Sequence, residues 1–155
     1  MKKQAVNRRY QIDQSIKIEN TQKASYICLS NGRTIICSIS AKDKRELKLF
    51  FRELERPLIF KIFTFSVLCA KTIVEAKVDS VAIDKEYPGH DIDINSFITQ
   101  ILNIWKYPQP NLSFTLVGKS SSAHIKGYQA YKKGDKGSVV NANEVLILYN
   151  LVNKG

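Results

Sequence analysis

Residues 112–124, LSFTLVGKSSSAH, pass from an apolar, β-rich run through Gly118 into Lys119, Ser120, Ser121 and Ser122, residue types suited to holding a phosphate. Gly118-Lys119-Ser120 is the ending of the nucleotide-binding loop G-x-x-x-x-G-K-[ST], but Ser113 stands where that loop needs its first glycine, so it is not a nucleotide loop of that kind. A helix start fits better, since free N–H groups and the dipole of a helix beginning at these serines favour an anion such as a nucleic-acid phosphate. Simple capping by one serine explains the same residues. Carboxylates supply the second group of reactive side chains. Asp13 lies mid-strand in IDQS, where aspartate is depleted. Asp84 ends SVAID at the C-terminal edge of a buried strand, where open α/β sheets bind ligands, and Glu86 points to the same side if the chain stays extended. Their plain alternatives are a solvated strand residue for Asp13 and a turn ahead of Pro88-Gly89 for Asp84. His124 is a candidate of its own, although a single histidine also serves as a packing or surface residue.

These residues need elements to position them. RRYQIDQSIKIE alternates Tyr10, Ile12, Gln14, Ile16 and Ile18 against a polar face of Arg9, Gln11, Asp13, Ser15, Lys17 and Glu19. ASYICLSNGRTIICSIS gives two further strands about Asn31-Gly32, a strong hairpin signal. Ser40 with Asp43 reads as a capping box for a helix through Leu47, Phe50, Phe51 and Leu54 that Pro57 breaks. A second, more apolar helix follows from Leu58 to about Ala76, then the strand VDSVAID, the amphipathic helix DIDINSFITQILNIW, the strand NLSFTLVG and the helix SSAHIKGYQAYKK. KKGDKGS reads as a loop, and the tail ANEVLILYNLV as helix or strand. Strands alternating with helices in the second half imply parallel pairing.

Composition narrows the partners. Of 155 residues, 24 are Lys or Arg and 14 are Asp or Glu, a net charge of +10 that favours a polyanion. Cys28, Cys37 and Cys69 lie among apolar neighbours without zinc spacing and read as core residues of a reducing compartment. Lys61, Thr64, Ser66, Lys71 and Thr72 interrupt residues 58–74, too often for a membrane span of about 20 residues. The basic start MKKQAVNRRYQID lacks the apolar stretch of a signal peptide. The expectation is one cytoplasmic domain over residues 1–155, with about the first seven flexible, and no membrane partner.

Three antiparallel strands followed by helix, strand, helix, strand, helix, with acidic residues at characteristic places, resemble the RNase H-like (retroviral-integrase-like) superfamily of nucleases over roughly residues 8–133. The resemblance implies an α/β fold with a mixed five-stranded sheet flanked by helices. It implies a site in which an Asp of the first strand, a carboxylate of the first helix, a carboxylate ending the fourth strand and an Asp, Glu or His near the last helix hold two Mg²⁺ or Mn²⁺ ions. Asp13, Asp84, Glu86 and His124 match as metal ligands, with Glu46 the choice on the first helix over Asp43, Glu53 and Glu55, and Glu75 of the second helix a further candidate. Lys17, Lys119, Ser120, Ser121, Lys126 and Tyr87 are the expected substrate contacts. Lys132 and Lys133 add further phosphate contacts, Tyr128 and Tyr131 could stack on bases, and His90 faces the same side. The function implied is metal-dependent hydrolysis of phosphodiester bonds in DNA or RNA, structured or hybrid forms included. A non-catalytic nucleic-acid-binding module of the same fold, or a basic protein-interaction subunit, are the alternatives.

Overall fold

The alternation at the start of the chain forms a strand, but a shorter one than the pattern suggests: β1 is Tyr10–Ser15, because Ile16 turns into the left-handed region at φ 68°. The structure, a computed structural model, describes residues 9–154; the flexibility expected of the first residues lies outside that range. β2 (Ser25–Ser30) and β3 (Ile35–Ile39) form the hairpin about Asn31-Gly32, with Asn31 at φ 90°. α1 (Ala41–Glu53) is capped by Ser40, whose Oγ accepts from the Asp43 N–H and donates to the Asp43 carboxylate. Pro57 occupies the first turn of α2 (Pro57–Ala76), where its missing N–H has no intrahelical partner to lose. β4 (Ser80–Asp84), α3 (Asp91–Ile104), β5 (Asn111–Thr115) and α4 (Ser122–Lys133) follow in the expected order.

The chain is α/β, with a mixed sheet of order β5-β4-β1-β2-β3-β6. β1, β2 and β3 are antiparallel neighbours, whereas β1–β4 and β4–β5 pair in parallel. Six strands replace the expected five. β6 (Ser138–Val140) starts at the last residue of the stretch read as a loop and pairs in parallel with β3, and the tail resolves as helix α5 (Ala142–Lys154). Ile12, Ile27, Leu29, Ile39 and Ile83 face α2 in one core, to which α3 and α5 contribute Ile98, Ile101 and Leu148. α2 is long and apolar enough to cross a membrane, but 67% of that stretch is buried inside the fold, as befits a core helix. Its Ser66 and Thr72 hydroxyls donate to carbonyls of their own helix, which is how polar residues fit an apolar interior. α4 lies against β1 and β2 on the opposite face.

One charged residue of α1 is wholly interior. Lys44 is fully buried and donates to the carbonyls of Lys17 and Asn20 and to Ser25 Oγ at 3.3, 2.6 and 2.7 Å, which ties the β1–β2 turn to the helix. Burial lowers its ammonium to about pKa 8, partly opposed by Glu19. Because the unfolded chain then holds the proton more tightly, Lys44 contributes rising stability as pH climbs from about 8 toward its ordinary 10.5. Lys44→Met is expected to cost about 2 kcal/mol at neutral pH by leaving those acceptors unpaired. In urea unfolding the gap from wild type widens over that pH window; a gap that narrows refutes the role given to Lys44.

Candidate metal centre

The strand register explains how two distant aspartates meet. Ile12 pairs with Ile83 across parallel β1 and β4, and both side chains enter the core, so the next residues, Asp13 and Asp84, stand side by side on the other face. Glu86, two residues past Asp84, joins them: one ligand oxygen from each of Asp13, Asp84 and Glu86 lies within 4.8 Å of the others. Asp84 Oδ1 accepts the Val117 N–H at 2.7 Å, and Lys85 N–H donates to Thr115 O at 2.9 Å, fixing the ends of β4 and β5 together. Asp13 Oδ1 accepts its neighbour's N–H, that of Gln14, at 2.8 Å.

Oxygen-only donors of this kind suit a hard divalent cation. Burial first, then hydrogen bonds to Asp84 and Asp13, push the Glu86 carboxyl up to about 9, against the lowering influence of Gln14. Burial beside two further carboxylates thus favours the protonated form of Glu86 where no cation offsets the charge. A bound cation would take that proton's place. Gln14, which reaches the same carboxyl, also has a buried Oε1 without a hydrogen-bond partner among the described residues. Crowded acids beside an unpaired buried oxygen fit a cation.

His124 stands just outside this trio. Its Nδ1 lies 2.8 Å from Asp13 Oδ2, so it orients a carboxylate of the cluster, while the ring remains 37% exposed and leaves Nε2 available to whatever enters. α4 can bring it so close because Gly127 meets β2 directly: a Cβ there would sit 3.1 Å from Cys28 Cβ. Ser121 caps the helix by accepting the His124 N–H, which leaves its hydroxyl proton to donate. Lys119 and Ser120 are exposed in the loop before it, and Lys126 on its outer face.

Lys17 extends its ammonium to 3.9 Å from Glu86 Oε1 and 3.4 Å from Glu86 O. Tyr87 is a correction to the sequence reading. It is 3% exposed, and its hydroxyl accepts from Gln14 Nε2 and the Ile18 N–H and donates to Glu19, so it supports the site from the core instead of facing a substrate. Glu46 is the other correction. α1 turns Lys44, Leu47 and Phe51 inward, which leaves Glu46 in solvent and outside the carboxylate group. His90 is held by Asp93 at 3.1 Å at the head of α3. Tyr128 is half exposed beside Lys132, whereas Tyr131 packs edge-on against Tyr26. Sequence reasoning missed Gln14 and Gly127; an isolated glycine within a helical pattern was the available signal for the second. Comparison with protein-family models, with curated proteins and with solved structures finds no significant match to the chain.

Proposed function

We propose that the chain is an RNase H-like, divalent-metal-dependent nuclease that hydrolyses phosphodiester bonds of DNA or RNA. One observation carries the reading: Asp13 on β1, Asp84 at the end of the parallel neighbour β4 and Glu86 just past it converge with ligand oxygens within 4.8 Å of each other. Support comes from the strand order, in which three antiparallel strands are joined at β1 to the parallel pair β4 and β5, and from the net charge of +10. Asp13, Asp84 and Glu86 would hold Mg²⁺ or Mn²⁺, which when bound lowers the pKa of water and stabilises charge on the phosphate and leaving oxygen. His124 steadies Asp13 and has a second ring nitrogen free for a proton of the substrate or its water. Lys17, Lys119 and Lys126 contact flanking phosphates, with Ser120 beside them at the head of α4. The three buried free thiols accord with a reducing, cytoplasmic setting.

A labelled panel of single strands, duplexes, RNA–DNA hybrid and four-way junction, incubated with Mg²⁺ or Mn²⁺, tests the reading. Metal-dependent cleavage of at least one substrate is the expected result. Salt-sensitive binding with no cleavage of any would replace the enzyme by a non-catalytic binding module, and no binding at all would point to a protein partner.

A further inference from the structure

Two helices, α1 and α2, stand between β3 and β4 where the resemblance has one, and the outer surface of α1 carries charge that the carboxylate site does not use. Between α1 and the first turn of α2 lies a cavity of about 350 Å³ bordered by Lys48, Arg52, Lys61, Glu19, Leu58 and Phe60. Lys48 and Arg52 are at i and i+4, so both heads emerge on one side of α1. Neither makes an ion pair among the described residues. The single carboxylate present is already engaged: Glu19 Oε2 is 3.9 Å from Lys61 Nζ, and Glu19 Oε1 accepts the Tyr87 hydroxyl at 3.1 Å. The cavity is therefore left with uncompensated positive charge above an apolar floor, where electrostatic attraction is screened less than in open water. The positive end of α2, which no side chain caps, adds to that field.

The cavity is also connected to the carboxylates. Lys61 Nζ is 5.6 Å and Lys17 Nζ 5.7 Å from the centre of the same Tyr87 ring, and Lys17 in turn lies 3.9 Å from Glu86. Cations thus succeed one another from the metal centre along the β1–β2 turn to α1. A line of this kind matches an extended chain of phosphates better than one compact anion.

We propose that the cavity between α1 and α2 is a second phosphate subsite, which holds the backbone of a nucleic-acid strand whose scissile bond lies at Asp13, Asp84 and Glu86. The subsite rests on the nuclease reading, extends it to substrate length, and makes strands that reach both places the preferred ligands. Lys17 and Lys61 bridge the two.

The test is fluorescence anisotropy in EDTA with a labelled oligonucleotide of about 20 nucleotides and one of about 4, using wild type, Lys48→Glu/Arg52→Glu and a control, Lys106→Glu/Lys154→Glu, that removes equal charge elsewhere. The expected result is a loss of about tenfold or more in affinity for the long strand only in the first variant, with a salt slope lower by about 2 and little change for the short strand. Lys48→Gln/Arg52→Gln, which introduces no repulsion, gives a smaller loss in the same direction. Equal long-strand binding by the first variant and the control overturns the subsite and leaves the nuclease reading standing. Failure of wild type to bind either strand overturns the subsite, and metal-dependent cleavage of the labelled panel decides the nuclease reading separately.

Discussion

Asp84→Asn is expected to lower metal-dependent cleavage by about 10³-fold or more while the protein stays folded. The asparagine oxygen can still accept the Val117 N–H that Asp84 Oδ1 accepts at 2.7 Å, so the junction of β4 and β5 keeps its hydrogen bond. What disappears is one of three negative charges that a divalent cation needs, at the position where the ligand oxygens lie within 4.8 Å. Glu46→Gln provides the comparison, since it also removes a carboxylate but from the solvent-facing side of α1. Cleavage by Glu46→Gln should equal that of wild type. Equal loss in both variants, or none in either, would remove the special standing of the β1–β4 trio.

The second large effect concerns stability at the far edge of the sheet. Gly137 has φ 57°, and a Cβ on it would lie 2.1 Å from Ile36 O and 2.7 Å from Ile36 C, both backbone atoms that cannot step aside. Gly137→Ala must therefore displace β6 from β3, breaking the pairing of Cys37 with Ser138 and of Ile39 with Val140. It also disturbs the bond from Ser138 Oγ to Glu75 and that from Ser38 Oγ to Lys136 O. The expected cost is about 3 kcal/mol or more. Gly134→Ala shares the left-handed backbone, at φ 72°, but has open space around its Cβ position, so it should cost only about 1 kcal/mol. Urea midpoints of the two variants separate close approach from backbone conformation; equal costs would show that contact with Ile36 contributes nothing.

These two positions also show why some of the protein could be read from its sequence and some could not. Asp13 and Asp84 were legible because each is a polar residue in a strong local pattern, an aspartate in an alternating strand and another ending an apolar one. Their meeting follows from parallel pairing of β1 with β4, which alternation in the second half of the chain did not reveal and only the resemblance implied. β6 had no such pattern: three residues after a run of lysines and glycines carry no period, and its pairing with β3 depends on a glycine approach that only the folded chain reveals. Lys44 and Glu46 sit in the same charged helical stretch, and the charge pattern alone does not tell which faces Ser25 and which faces water. Tyr87 looked accessible amid Glu86, Pro88, Gly89 and His90, yet three polar partners from Gln14, Ile18 and Glu19 accommodate its hydroxyl inside. His124 was identifiable as a candidate, but its role beside Asp13 is set by how closely Gly127 lets α4 approach the sheet. Local patterns thus marked the chemistry, and long-range packing decided which of the marked groups take part.

The account depends on Asp13, Asp84 and Glu86 acting as one cation site, and titration of Mn²⁺ into wild type, Asp13→Asn and Asp84→Asn, followed by calorimetry, tests that most directly. Saturable binding by wild type that weakens by about 100-fold or more in either variant is the predicted result. Absence of saturable binding, or equal affinity in all three proteins, would contradict it.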